Sequence, residues 1–158
     1  MRRILSGFCS SSLGKALAVR IGPSRNPPVI QRWLRQVSQM VYALRDFGLP
    51  PFGGVTDITG ALERAVPGGE AAPEDFAAIA ATLEGAAAVK GYLERLPETL
   101  DELPPLAQGL HNFEAEVAAI RRVVGDDGEV RDDASPRLGA VRREIEATTR
   151  QIHDVIYG

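Results

Sequence analysis

Residues 9–16, CSSSLGKA, come nearest in this chain to a nucleotide site. A phosphate loop needs a glycine, four residues, then Gly-Lys followed by Ser or Thr. The first glycine lets the backbone approach phosphate, and the hydroxyl reaches Mg²⁺. Cys9 stands where that glycine must be, and Ala16 where the hydroxyl must be. Gly14-Lys15 therefore reads as a detail of a helix, and no segment supplies both halves of an ATP site. Asp126, Asp127, Glu129, Asp132 and Asp133 crowd one stretch, which raises Ca²⁺. They lack the alternating ligand order and the distant bidentate Glu of a helix-loop-helix calcium site, and read as a solvated turn. Cys9, His111 and His153 have no Cys or His partner at metal-ligand spacing. No Ser, His and Asp stand in a nucleophile motif. The expectation is a structural piece: no catalytic, cofactor-binding or metal-binding residue, and no enzyme activity of its own.

Charge is the other source of chemistry. The formal net charge of -3 hides an asymmetry. Residues 1–45 hold eight basic side chains and no acid, whereas residues 46–158 hold ten basic side chains against all 21 acids, a net of -11. A basic face of this kind can meet nucleic acid, with Arg20, Arg25, Arg32 and Arg35 as the contacts. The competing reading, and the preferred one, is that these arginines pair with the acidic remainder of the fold or with the rest of a larger protein. Eight charges over 45 residues fall short of a dense basic cluster.

These residues need a scaffold, and the composition describes one. The chain has 158 residues, 44% hydrophobic and 25% charged, with only 6% aromatic and abundant Ala. That is the size of one domain and the composition of a helical bundle. Charged residues interrupt every apolar run before it reaches membrane-spanning length. A single cysteine allows no internal disulfide, which points to a reducing, cytoplasmic setting. The Arg- and Ser-rich first twenty residues imitate a transit peptide, but helical patterning continues straight out of them.

Along the chain, a short first helix is followed by a second, capped by Ser11 or Ser12 and ended by Gly22-Pro23. Pro27-Pro28 opens a longer helix. Its residues Ile30, Trp33, Leu34, Val37, Val41, Leu44 and Phe47 recur every three or four positions and predict a buried face that includes Trp33. The Gly- and Pro-rich segment 48–57 is a rigid loop, and Asp57 can cap a short helix to Ala65. Pro73, Glu74 and Asp75 begin a long Ala-rich helix, with Phe76, Ile79, Leu83, Val89, Leu93 and Leu96 inward and Pro97 as its stop. A small helix over 98–103 and a Pro104-Pro105 break precede a helix striped by Leu110, Phe113, Val117, Ile120 and Val124. Asp127-Gly128 signals a two-stranded hairpin at most. Ser135-Pro136 starts the last helix, in which Leu138, Val141, Ile145, Ile152 and Val155 form a heptad stripe, with Thr148 in the remaining slot. Such a stripe wants a partner helix, and the chain reads as ending where a coiled-coil arm begins. The fold class is thus all-α: an irregular bundle of six or seven helices with one short β-hairpin and a projecting C-terminal helix.

Three stretches together resemble the MutS paralogue branch whose full-length members end in an Smr-type nuclease domain. They are LGKALAVRIGPSRNPPVIQRWLRQVSQMVYAL, LPPFGGVTDITGALERAVPGGEAAPEDFAAIAATLEGAAAVKGYL and, the most specific, DDGEVRDDASPRLGAVRREI. The resemblance covers nearly the whole chain. It implies that residues 1–134 are the N-terminal part of a MutS-like core domain and 135–158 the start of the ascending lever helix, before clamp and ATPase. Full-length relatives would be dimeric ATPases that bind branched or mismatched DNA and restrain recombination, and some act on stalled ribosomes. ATP, Mg²⁺ and nuclease chemistry would belong to downstream domains. The chain departs from the family pattern at Ala72, where a capping Ser is usual, and around Ser38 to Val41, where a Glu is usual. The implied function is a structural connector of a DNA-handling ATPase, inactive alone. The alternative is a free-standing helical module that binds a partner helix or a second copy of itself.

Overall fold

The computed structural model describes residues 2–157, and their elements are seven α-helices and one 3-10 helix. The helices are α1 (Arg2–Gly7), α2 (Ser12–Arg20), α3 (Pro27–Phe47), α4 (Thr59–Arg64), α5 (Pro73–Glu94), α6 (Glu114–Arg121) and α7 (Pro136–Tyr157), with the 3-10 helix at Pro104–Gly109. The all-α class and the helix number follow the sequence reading.

Local chemistry sets the helix starts. The Ser11 hydroxyl accepts from the Gly14 amide at 3.0 Å, and Asn26 Oδ1 accepts from the Val29 amide at 3.5 Å, each satisfying a donor that the first turn leaves free. Prolines at the first positions of α3 and α5 lose nothing, because those amides have no partner inside the helix. At α5 the Asp75 carboxylate reaches back to the Ala72 amide at 3.0 Å, the half of a capping box that does not depend on the side chain at Ala72. Asp57 sits one residue before the N-cap of α4 rather than on it, and its Oδ1 accepts from the Thr59 amide at 3.0 Å.

The core gathers around the C-terminal half of α5. Tyr92, Leu93, Leu96, Leu100, Leu103 and Ala107 bury against Ala43 of α3, with Met40, Val89 and Leu110 packed at the edge. The Tyr92 hydroxyl donates to the Gly48 carbonyl at 2.9 Å, tying the end of α3 to α5. At its middle α5 is thin. Gly85 is buried, and a Cβ there would lie 2.7 Å from Val55 Cγ2 and 2.8 Å from the Gly53 carbonyl oxygen. The Gly53–Val55 loop can approach only because that Cβ is missing. Thr82 holds the same loop, its hydroxyl 3.2 Å from both the Gly54 carbonyl oxygen and the Thr56 amide.

Four expectations change. First, the apolar stripe of α3 is not core: Trp33 is 49% exposed, Val37 61% and Val41 63%, and Ala43 is the one buried residue of that helix. The face that docks carries Arg32, Arg35, Gln39, Met40 and Ala43, because polar contacts at its N-terminal end and small apolar contacts at its C-terminal end hold it to the Tyr92–Leu103 segment. Second, residues 98–103 form two successive turns, closed by Leu100 N–H to the Pro97 carbonyl and Leu103 N–H to the Leu100 carbonyl. Third, Pro104-Pro105 starts the 3-10 helix instead of breaking one, and α6 begins only at Glu114, so Leu110 and Phe113 lie outside it. Fourth, the hairpin reduces to a single antiparallel bridge between Val124 and Val130. The turn is not the two-residue Asp-Gly loop expected, because Gly128 alone has a positive φ, +81; the Gly128 amide instead donates to the Gly125 carbonyl at 3.2 Å, and five residues separate the bridged valines.

Candidate interaction surfaces

The arginines of the basic N-terminal region divide into two pairs. Arg32 and Arg35, one turn apart on α3, both reach Glu102: Arg32 Nε lies 3.3 Å from Oε2 and Arg35 Nη2 lies 2.6 Å from Oε1. Gln39, a further turn along, donates to Asp101 Oδ1 at 2.7 Å and accepts from the Glu102 amide at 3.0 Å. A three-rung polar stripe thus grips the 101–102 turn. Arg20, at the end of α2, and Arg25, in the loop before α3, are exposed, and neither is in an ion pair among the described residues. Of the four candidate nucleic-acid contacts, two are therefore engaged internally and two face solvent.

Gly14-Lys15 lies in the first turn of α2, whose Ser11 cap occupies the Gly14 amide. That amide is no longer available to a phosphate. The acidic stretch is threaded by arginines: Asp126 meets Arg121 at 2.9 Å, Asp133 meets Arg131 at 2.9 Å, and Asp132 meets Arg142. The Arg131 guanidinium, chiefly through its hydrogen bond, lowers the pKa of Asp133 from its ordinary value. Arg121 is the junction of this region, since it also binds Glu84 of α5 through two hydrogen bonds of 2.9 and 2.7 Å and lowers the Glu84 pKa. Its Nη1 is buried and aligned with no acceptor, although Asp126 lies within ion-pair distance. Cys9 is half-buried with its Sγ 3.5 Å from the Leu5 carbonyl oxygen. His111 and His153 are exposed and rest near Phe113 and Tyr157.

The last helix carries the second candidate surface. Ser135 caps it, accepting from the Leu138 amide at 3.1 Å, and Gly139 is its one buried residue, close against the Asp132 carbonyl. Every residue from Arg143 to Tyr157 is exposed. Of the stripe, Leu138 is half-buried, while Val141 is 43% exposed, Ile145 59%, Ile152 54% and Val155 86%. No helix among the described residues packs along it.

Sequence reasoning missed the outward apolar face of α3 and the acceptor role of Glu102. Helical spacing shows that Arg32, Arg35 and Gln39 share a face, but it cannot tell which of two faces docks, and nothing local marks Glu102 as their partner. No helix of the chain is long and apolar enough to cross a membrane among the described residues.

An all-helical segment with two unpartnered helix faces and a divided arginine set is the picture into which the relatives fit, and those relatives are MutS-type proteins. No family model matches the chain. The Endonuclease MutS2 of Geobacillus sp. (strain WCH70) is 36% identical over 148 residues, covering 92% of this chain and 19% of the relative. The Putative endonuclease MutS2 of Bacillus subtilis (strain 168) is 30% identical over 151 residues, 94% of this chain and 19% of the relative. The Endonuclease MutS2 of Halalkalibacterium halodurans is 28% identical over 165 residues, 100% of this chain and 21% of the relative. The chain is thus homologous along nearly its whole length to a segment of MutS2, and it spans about a fifth of the length of the curated relatives it matches.

Proposed function

We propose that the chain is a helical connector segment of a MutS-type protein acting in DNA repair and recombination, with no catalysis of its own. The observation that carries this reading is the homology to MutS2 over 92% of the chain, joined to a terminal helix whose apolar stripe is exposed over four turns. Residues 2–134 form the packed body, and α7 is the arm that passes mechanical coupling to a partner helix. Arg20 and Arg25 add a weak, sequence-independent attraction to phosphate. DNA, rather than the ribosome, is the target this reading takes, and ATP and Mg²⁺ belong to other parts of such a protein.

The test is a chimaera. The segment of the Bacillus subtilis relative that matches this chain is replaced by residues 1–158, and binding of a branched DNA duplex is measured. The chimaera should bind as the relative does, and Ile145→Glu with Ile152→Glu should uncouple ATP from DNA binding without unfolding the body. A folded chimaera whose DNA and ATP responses ignore the α7 substitutions sinks the connector role. Saturable binding of a fluorescent ATP analogue to the isolated chain, lost in Lys15→Ala, would show that residues 9–16 are a nucleotide site after all.

A further inference from the structure

We propose that the α1–α2 hairpin is a strap, latched to the rest of the chain through Ser12, that opens on its own while the helices after it stay folded. Its attachment is thin. Among the described residues α1 and α2 pack on each other and on no other helix. The Ser12 hydroxyl accepts from the Asp57 amide at 3.1 Å, and among the described residues this is the one hydrogen bond that joins the hairpin to anything beyond α2. No ion pair of the described residues involves Arg2, Arg3, Lys15 or Arg20.

The hairpin also holds itself together poorly. Its one buried residue is Ala18, and the half-buried ones are Ser6, Cys9, Ser11 and Gly14, so the seam removes little apolar area from water. The large side chains are left outside: Ile4 is 67% exposed, Leu17 63% and Phe8 84%. Helices of six and nine residues fall short of the roughly 12–15 that a helix needs to persist alone. Neither has an acid in its first turn, and Arg2 and Arg3 stand at the positive end of the α1 dipole. Gly14 weakens α2 further.

Opening need not spread. Residues 21–26 carry no regular structure, and α3 starts afresh with its own Asn26 cap and Pro27. The core around Tyr92 and Leu93 takes no residue from the hairpin. A unit with few buried contacts and a separate start beyond it is the kind that opens locally, at a free energy far below that of the whole fold. The opening has a consequence for the surface behind it. Phe8 and Ser10, at the bend of the hairpin, form one edge of an apolar groove whose other walls are Met40 and Leu44 of α3 with Leu49 and Phe52. Release of the Ser12 latch strips away that edge and lays the groove open.

Native-state hydrogen exchange of the whole chain, followed by NMR in low concentrations of urea, is the experiment. The amides of residues 16–20 should exchange much faster than those of Tyr92 and Leu93. Their rates should barely respond to urea, because a local opening exposes little surface, whereas the α5 rates climb with it. Ser12→Ala keeps the Ser11 cap and a good helix former, so its effect on α2 reports the lost latch. It should speed exchange at Asp57 and at residues 16–20 about fivefold, the worth of one hydrogen bond, and leave Tyr92 and Leu93 unchanged. Ser12→Thr, which keeps the hydroxyl, should restore the wild-type rates. Amides of α2 that exchange at the Tyr92 rate with the same urea dependence overturn the proposal. So does a Ser12→Ala chain in which α2 and α5 are accelerated alike, or in which neither changes.

Discussion

Arg35 sets its Nη2 2.6 Å from Oε1 of Glu102, and Arg32 shares that carboxylate, so the two arginines fasten the N-terminal half of α3 to the 101–102 turn. Glu102 is the receiving end of both arginines, and its side chain is only 14% exposed while theirs are more than half exposed. Removing the carboxylate should therefore matter more than removing either cation. Each exposed pair is worth a few tenths of a kcal/mol, and losing both together with the order they impose on the 101–102 turn should come to about 1 kcal/mol. Urea unfolding should place Glu102→Ala that far below wild type, with Arg32→Ala and Arg35→Ala each costing less than half as much. Equal effects of all three would mean that the arginines, not the turn, are the weak point.

A second ion pair makes stability depend on acid. The Asp75 carboxylate accepts from Arg64 and from the Ala72 amide, and these hydrogen bonds, the arginine's first, hold its pKa at about 2 against an ordinary 3.8. A carboxylate depressed in the folded state stabilises the fold above the unfolded value and loses that contribution as pH falls through the folded one. The loss should run from about pH 4 to about pH 2. Asp75→Asn should flatten that part of the curve in thermal melts taken across the window while the remaining slope persists. An unchanged slope would show that other carboxylates govern acid unfolding.

Gly85 gives the steric prediction. Alanine in a helix interior gains up to about 1 kcal/mol over glycine. Here its Cβ would press to 2.7 Å from Val55 and 2.8 Å from the Gly53 carbonyl, and crowding of that kind costs typically 1–3 kcal/mol. The steric cost should win, because one obstructing atom is backbone. Gly85→Ala should be destabilised by about 1 kcal/mol in urea, and Gly85→Val by more. A stabilised Gly85→Ala would mean the Gly53–Val55 loop is free to move away.

Four helix starts were legible because each is written in one or two adjacent residues: Ser11, Pro27, Pro73 and Ser135 sit where capping rules require, whereas α4 is capped at Ile58 rather than Asp57 and α6 starts only at Glu114. The inward stripe of α5 was legible in part, since Ile79 and Leu93 are buried as their spacing demands, with Leu96 buried just past the helix end. What failed was the inference about what the α3 stripe touches. The Trp33–Val41 face has core periodicity, yet periodicity states only that a face is apolar and is silent on whether its cover lies in the same chain. The segment from Pro97 to Phe113 failed for a local reason. Prolines at 97, 104 and 105 are compatible with turns and 3-10 geometry as well as with helix starts, and the hydrogen bonds that choose between them come from carbonyls two or three residues back. Of the candidate contacts, the division of the four arginines could not be read at all, because it depends on Glu102, some 70 residues away.

That division makes the nucleic-acid prediction specific. Arg20 and Arg25 are exposed without an internal partner among the described residues, whereas Arg32 and Arg35 are held by Glu102. Outside the first 45 residues the chain carries a net charge of -11, which repels phosphate everywhere else. A branched duplex should therefore bind weakly and without sequence preference. With two phosphate contacts, the logarithm of the binding constant should fall with the logarithm of salt at a slope of about -2, so that little binding survives at physiological ionic strength. Arg20→Ala with Arg25→Ala should remove most of the low-salt binding and leave the unfolding midpoint unchanged. Arg32→Ala with Arg35→Ala should do the reverse, lowering the midpoint while most of the binding remains. Fluorescence anisotropy against salt, paired with urea unfolding for the same two double variants, reads both effects. Tight binding that persists in high salt would overturn this account, and so would a loss of binding confined to the Arg32 and Arg35 variant, since it would mean that the pair bound to Glu102 is the one that reaches phosphate.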